Sequence, residues 1–127
     1  MITIDGSYGE GGGQVLRTSL TLATLTGQAV RIERTRAGRK KPGLRPQHLT
    51  AVRAAASVCR AHLEGAELDS QTLVFAPQDA PRPGEYVFDV TEAAQGGSAG
   101  SVGLVLQTVL LPLALAEGES YLILRGG

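Results

Sequence analysis

The stretch ITIDGSYGEGGGQVLRTSLTLATLTGQAVRIER, residues 2–34, decides the fold class. Ile2–Asp5 is a short apolar opening that predicts a strand, and the five glycines of residues 6–13 predict a loop. Apolar residues recur at near-helical spacing over 14–25, which predicts a helix. Apolar and charged residues alternate over 29–34, which predicts a half-buried strand. A strand, a helix and a strand in this order indicate an α/β or α+β layer fold.

The rest of the chain continues the alternation of helices and strands. An apolar stripe over 46–63 predicts a second amphipathic helix, with a proline in its first turn. Two strands are predicted at 72–75 and 86–90 with a Pro/Gly turn between them, then a helix over 102–116 and a strand over 121–124. The predicted order β-α-β-α-β-β-α-β favours helices packed on one face of a sheet.

One pattern occurs twice along the chain. A glycine loop leads into an apolar helix at 9–25 and again at 96–116. We therefore predict one repeat unit over about residues 1–90 and the start of a second over about 91–127. The second unit has one helix and one strand and no closing element, so we expect a truncated chain.

Composition excludes several classes of protein. The 127 residues suffice for one domain or a piece of one, and 43% apolar with 19% charged residues excludes a disordered or fibrous chain. Two Phe, three Tyr and no Trp argue against a base-stacking RNA platform. Cys59 is the one cysteine, which excludes a disulfide framework and a cysteine-rich zinc site and agrees with a cytoplasmic location. The apolar stretch 102–116 is too short to span a membrane.

Positive charge is concentrated although the net charge is zero. Seven of the 12 Lys and Arg residues fall within 31–45, and ten of the 12 are arginines, which favour bidentate binding of phosphate. Arg36, Arg39 and Arg45 lie around glycine and proline breaks, so this loop suits a polyphosphate or an RNA backbone. The alternative is a solvated basic loop that provides solubility.

The first glycine loop has the composition of an anion site. Its backbone N–H groups can approach an anion closely, and the helix that follows directs its positive end at the same place. Arg17 in the first turn adds a fixed charge, and Glu10 is suited to hold Mg²⁺ that bridges phosphates. The loop matches neither the Walker A nor the dinucleotide motif. The alternative is a flexible turn with a solvated Glu and Arg.

Three further positions are candidates for contacts with a ligand. His48 lies in the first turn of the second predicted helix, where the helix dipole favours a neutral ring that can bond phosphate or ribose; the alternative is a surface histidine. Gln107 interrupts the apolar run of the third predicted helix, so we expect it to be buried. A buried glutamine needs hydrogen-bond partners, which are either a backbone group or a ligand. Cys59 and His62 share one predicted helix face, and two ligands do not make a zinc site.

Five segments resemble the N-terminal part of the RNA 3'-terminal phosphate cyclase family. They are IDGSYGEGGGQVLR (4–17), RAGRKKPGLRPQHLTAVRAA (36–55), EGAELDSQTLVFAP (64–77), GSAGSVGLVLQTVLLPLALA (97–116) and RGG (125–127). The resemblance covers this chain but only the first portion of the longer family members. It implies a fold of β-α-β-α-β-β units related to the enolpyruvate transferases. It also implies conversion of an RNA 3'-phosphate into a 2',3'-cyclic phosphate through enzyme-AMP and RNA-adenylate intermediates, with ATP and Mg²⁺ or Mn²⁺.

The resemblance also assigns residues. It implies that Glu10 contacts the metal and that a second group lies around the nucleotide or RNA phosphates: Arg17, Arg36, Arg39, Gln47 and His48. Gln107 matches the LQT segment of the third predicted helix and is grouped with them. The histidine that the family adenylates lies near the far C-terminus and has no counterpart here, so we expect this chain alone to be inactive.

The implied partners are RNA 3'-phosphate ends and ATP, with neither DNA nor a membrane. We also expect the apolar stretch 102–115 to promote self-association of the chain. Two alternatives belong to other classes: a non-catalytic cyclase-like RNA-binding protein of ribosome assembly, and a self-contained small-anion-binding domain. Retention of Glu10, Arg17, Arg36 and Arg39 argues against the first.

Overall fold

The computed structural model describes residues 1–9, 12–91 and 102–126. Within these ranges the chain forms a mixed fold of strands and helices, which confirms the predicted fold class. The relationship to the enolpyruvate transferases stays a prediction. The elements are β1 (Ile2–Asp5), α1 (Gly13–Thr26), β2 (Val30–Glu33), α2 (Pro46–Cys59), β3 (His62–Glu64), β4 (Leu73–Ala76), β5 (Glu85–Asp89), α3 (Val102–Leu115) and β6 (Tyr121–Arg125).

The first sheet has four strands in the order β1-β2-β4-β3. β1 and β2 are parallel and are joined by α1, whereas the β2–β4 and β4–β3 pairs are antiparallel. Val30 and Ile32 of β2 face the core and Arg31 between them is exposed, as the alternation in the sequence predicts. α1 and α2 bury their apolar residues against this sheet. The expected arrangement of helices on one face of a sheet is therefore present.

The C-terminal end of α2 differs from the prediction. The helix ends at Cys59 rather than near residue 63, and Arg60 takes a left-handed conformation (φ 50°) in which its N–H bonds the carbonyl of Ala56. His62 and Leu63 belong to β3, a strand that the sequence pattern did not reveal. Leu63 suits the helical stripe as well as a strand, and pairing with β4 decides in favour of the strand. Cys59 and His62 therefore do not share a helix face.

A second sheet forms from the C-terminal part of the chain. β5 and β6 pair in parallel and α3 connects them in the sequence. The Pro/Gly segment between β4 and β5 leads from one sheet to the other, because these strands lie in different sheets. The second glycine loop, residues 95–100, lies outside the described residues.

The helix α2 contributes to both cores of the structure. Val52, Ala55 and Cys59 pack in the core beneath the four-stranded sheet. Ala54 and Val58 pack in a second core with β5, β6 and α3. α1, α2 and α3 also contact one another. The two sheets are thus joined through one shared helix.

In both parallel strand pairs, the first strand ends in the same kind of turn. Asp5 ends β1 and accepts a hydrogen bond at Oδ1 from the N–H of Ser7 at 2.9 Å. Asp89 ends β5 and accepts a bond at Oδ1 from the N–H of Thr91 at the same distance. The arrangement β-α-β therefore recurs with the same turn after its first strand. The division into units over about 1–90 and 91–127 stays a prediction.

The helix α3 has apolar side chains on both sides. Val105, Val109 and Leu113 are buried in the second core, while Leu110 and Leu111 are about half exposed. No helix in the described ranges is both long and apolar enough to cross a membrane.

Candidate functional site

The start of α1 approaches three side chains so closely that a Cβ atom at Gly12 or Gly13 would force one of them to shift. A Cβ atom on Gly13 would lie 2.7 Å from Nη1 of Arg17 and 2.8 Å from Nε2 of His48. A Cβ atom on Gly12 would lie 2.7 Å from Nη2 of Arg39. Such separations do not occur between real atoms without a shift of one of them. The missing side chains of the glycine loop therefore leave room for these nitrogen atoms.

His48 is held in one tautomer at this point. It is buried in the first turn of α2, and its Nδ1 accepts a hydrogen bond from the backbone N–H of Arg45 at 3.0 Å. Burial, and to a smaller extent the charges of Arg36, Arg17 and Arg45, lower the pKa of His48 to about 4. The ring is therefore neutral at pH 7 and carries its proton on Nε2, the atom that lies over Gly13. Neutrality was expected from the helix dipole, but burial is its largest cause.

Arg17 has an unused donor. Its Nε atom is buried and has no hydrogen-bond partner among the described residues, and its Nη2 donates to Oε1 of Gln14 over a long 3.4 Å. Burial lowers the pKa of this guanidinium. Buried N–H groups are almost always paired in native structures. The chemistry of Arg17 suits a ligand with acceptor oxygens, and its Nη1 lies at Gly13 together with the neutral Nε2–H of His48.

Arg36 has a structural contribution as well as a charge. Its Nη1 donates to the carbonyl of Lys41 at 2.6 Å and to that of Gly43 at 3.0 Å. These bonds connect the beginning of the basic loop to its end. Burial, followed by the charges of Arg39 and Arg45, lowers the pKa of Arg36. The loop therefore gathers cations at some electrostatic cost, which an anion would relieve.

A cavity of about 250 Å³ lies between α1 and α3. Arg17 and Gln107 both line it, so the structure brings these two candidates together. Gln107 is exposed, which corrects the expectation of a buried glutamine in need of partners. Gln14 and Thr18 also line the cavity and were not recognised from sequence motifs. Gln14 precedes Arg17 by three residues and Thr18 by four, and these spacings make side chains neighbours on one helix, so the sequence does carry a signal for them.

The helices that border this cavity are joined by a hydrogen bond. The hydroxyl of Thr21 donates to the carbonyl of Thr108 at 2.8 Å and also approaches the carbonyl of Arg17 at 3.0 Å. α1 and α3 are thereby held at a fixed separation beside Arg17.

The other candidate residues that the structure describes supply none of the atoms nearest to a Cβ on Gly12 or Gly13. Gln47 is half-buried in the first turn of α2, directly before His48. Glu10 lies outside the described residues, and the residues that the structure describes contain no group of three or more His, Cys, Asp or Glu that could hold a metal. Cys59 is a buried free thiol, whereas His62 is exposed and contacts Glu64 at 3.1 Å.

Comparison with known proteins adds independent information. The sequence profile of "RNA 3'-terminal phosphate cyclase" matches residues 8–127. Over all 127 residues the chain is 64% identical to an RNA 3'-terminal phosphate cyclase of Nostoc sp., 65% identical to one of Methylococcus capsulatus and 58% identical to one of Gloeothece citriformis. It covers 36%, 35% and 36% of these relatives. The chain thus spans about a third of the length of the curated relatives that it matches.

Proposed function

The chain belongs to the RNA 3'-terminal phosphate cyclase family, and we propose that it forms the part of such a cyclase that binds phosphate groups of the RNA end and of ATP. The proposed reaction of the whole enzyme is the ATP-dependent conversion of an RNA 3'-phosphate into a 2',3'-cyclic phosphate. This chain contributes binding residues to that reaction.

One observation carries the proposal: the donors that converge on Gly13. Nη1 of Arg17 and the Nε2–H of His48 both approach this glycine, and the buried Nε of Arg17 bonds no residue in the part of the chain that the structure describes. Donors arranged in advance around the place of a phosphate stabilise the negative charge that develops during phosphoryl transfer. Arg39 at Gly12 extends the same set of donors.

Arg17, Arg39 and His48 would bind and orient the phosphate oxygens. His48 donates one hydrogen bond without adding charge, since its ring is neutral. Arg36 stabilises the loop and adds positive potential, and Gln47 and Gln107 are proposed as further contacts of the bound groups. These roles rest on the family and on the positions of the side chains.

The divalent metal is a separate part of the proposal. When bound, Mg²⁺ or Mn²⁺ would neutralise charge on the phosphate oxygens. Glu10 is proposed as its protein ligand, and the described residues offer no further carboxylate cluster for it. Mg²⁺ commonly takes one or two protein carboxylates and completes its shell with phosphate oxygens and water.

We further propose that this chain alone does not form the covalent AMP adduct, since the family's adenylated histidine has no counterpart in it. The expected location is the cytoplasm, in agreement with the free buried thiol of Cys59. Intact mass after incubation with ATP and Mg²⁺ tests the first point. An unchanged mass is expected, and a mass increase by one AMP would contradict it.

The binding role is tested with a fluorescent ten-nucleotide RNA that ends in either a 3'-phosphate or a 3'-hydroxyl. Fluorescence anisotropy should show that the chain prefers the phosphate end by about tenfold, as expected for one charge-assisted hydrogen-bonded group. Arg17→Gln should abolish this preference. Arg31→Gln is the matched control, because Arg31 is an exposed arginine on the outer side of β2.

Three outcomes would overturn the proposal in different ways. Equal affinity for both RNA ends would remove the role in recognising the 3'-phosphate. If inorganic phosphate displaces the labelled RNA as effectively as an unlabelled RNA with a 3'-phosphate does, the chain is a small-anion-binding domain. A loss of preference in Arg31→Gln as large as in Arg17→Gln would show that only the overall positive charge matters.

A further inference from the structure

A second cavity lies away from the glycine loop, between α2 and β5. Its volume is about 310 Å³, and it extends along the whole of Glu85–Asp89. The opposite wall is one face of α2, which presents Thr50, Arg53 and Ser57. The strand β5 on one side and the helix α2 on the other form a groove that follows the length of the strand.

Among the residues that the structure describes, none pairs with the backbone of β5 on the side away from β6. The carbonyl of Gly84 accepts from the N–H of a β6 residue at 2.9 Å, and the N–H of Val90 donates to β6 at 3.0 Å. Because N–H and C=O groups of alternate residues face opposite sides of a strand, those of Glu85, Val87 and Asp89 face away from β6. Within the described residues, β5 pairs with β6 alone. Three residues of unpaired backbone therefore face an open edge.

The charges along this edge disfavour a second copy of the chain. On the outer face of β5, Glu85 and Asp89 flank the exposed Val87. An antiparallel pair of two β5 strands centred on Val87 would place Glu85 of each copy opposite Asp89 of the other. Like charges directly opposite each other destabilise a strand pair. The same two acids favour a strand with basic residues at those places.

We propose that the groove between α2 and β5 binds an extended peptide segment of a partner protein as an added antiparallel strand. The segment carries a basic, an apolar and a basic residue at alternate positions, opposite Asp89, Val87 and Glu85. The residues between them face α2 and are small and polar, since Thr50, Arg53 and Ser57 form that wall. Main-chain hydrogen bonds supply affinity and alternate side chains supply specificity, as in other cases of strand addition.

The test uses the capped peptide Ser-Arg-Ser-Val-Ser-Arg-Ser and a counterpart with Glu in place of both Arg. The basic peptide should bind about tenfold more tightly than the acidic one, because two cross-strand charge pairs change sign. Amide hydrogen exchange at Val87 should slow by about tenfold or more on binding, and exchange at Arg17 should not change. Equal affinity of the two peptides, or unchanged exchange at Val87, would overturn the proposal.

A variant of the backbone tests strand addition directly. Val87→Pro removes the N–H that faces the open edge, a place where strands tolerate proline, and should reduce peptide affinity by about tenfold or more. The matched control is Thr3→Pro, because the N–H of Ile2 bonds Ala29 at 3.1 Å and Thr3 therefore faces the open edge of β1. The control should leave peptide affinity unchanged, and full affinity in Val87→Pro would contradict strand addition.

A surface variant keeps the proposal testable if proline prevents folding. Glu85→Lys changes an exposed side chain, and it should weaken binding of the basic peptide by about threefold to tenfold and strengthen that of the acidic one. Glu119→Lys is the control with the same change of charge at another exposed position. The same response in both variants would mean that net charge, rather than this edge, determines binding. Protection of Val87 that rises with protein concentration in the absence of peptide would point to a second copy instead.

Discussion

The Nδ1 atom of His48 accepts a hydrogen bond from the backbone N–H of Arg45 at 3.0 Å, and this bond determines which ring nitrogen faces Gly13. The first turn of α2 therefore prepares a neutral donor for the glycine loop, about 35 residues away in the sequence. The bond also satisfies an N–H group at the start of α2 that has no partner within the helix.

Stability should depend on pH through His48. Its pKa is about 4 in the folded protein against an ordinary value of 6.5, so the unfolded chain binds this proton first as the pH falls. The free energy of unfolding should thus decrease between pH 6.5 and pH 4 by roughly 3 kcal/mol and be unaffected by this group above pH 7. Urea unfolding at several pH values measures this dependence.

His48→Gln should remove the decrease, and His62→Gln should keep it because His62 is exposed on β3. If His48→Gln and the unchanged protein lose the same stability between pH 6.5 and pH 4, another group is responsible.

Gly13→Ala should disturb phosphate binding more than stability. The new Cβ would lie 2.8 Å from Nε2 of His48, which Arg45 holds in place, so that a side chain of the site must shift. Alanine favours a helix over glycine by about 0.5–1 kcal/mol, which offsets part of the strain. We expect inorganic phosphate to raise the melting temperature of the unchanged protein, and Gly13→Ala should lose this increase. Gly38→Ala is the control, because a Cβ there meets open space, and its response should equal that of the unchanged protein.

Thr21→Val should loosen the contact between α1 and α3. The substitution removes the 2.8 Å bond to Thr108 and leaves a carbonyl without this donor, at a cost of about 1 kcal/mol. A decrease of about 3–6 °C in melting temperature is expected for a chain of this size. Thr26→Val, which removes a bond within α1 at an exposed position, should have a smaller effect. An equal decrease in both variants would show that the contact with α3 adds nothing.

Self-association through α3 is expected at high protein concentration. Leu110 and Leu111 are about half exposed and Leu115 is 66% exposed, so that one side of this helix presents apolar area to solvent. Light scattering of the unchanged chain should show an apparent mass that rises with concentration. Leu111→Ser should reduce this rise, and Leu68→Ser, at an exposed leucine elsewhere, should not. A constant monomer mass at all concentrations would contradict the expectation.

Several elements could be predicted because their signals are local. α1 carries apolar residues at helical spacing and ends at Gly27, which takes the left-handed conformation (φ 76°) that glycine adopts readily. The alternation in β2 identified the buried positions Val30 and Ile32. The cationic character of residues 31–45 follows directly from composition.

Other features could not be predicted because distant segments create them. α2 ends at Cys59 and is followed by Arg60, a residue that carries no signal for a helix end, because the next residues pair with β4. The pKa of His48 depends first on burial and then on Arg36 and Arg17, which lie on other elements. Gln107 is polar in an apolar helix, and only the position of α3 beside α1 shows that it is exposed and borders the same cavity as Arg17.

By itself the sequence determined the α/β class, most of the helices and strands, the concentration of arginines and the resemblance to the cyclase family. These features depend on residue spacing and composition within short segments of the chain. Only the tertiary structure decided that Arg17 and His48 meet at Gly13, that α2 serves two cores and that β5 pairs with β6 alone in the described part of the chain. The physical reason is that such contacts arise from packing and strand pairing between segments far apart in the chain, whose energies no local pattern contains.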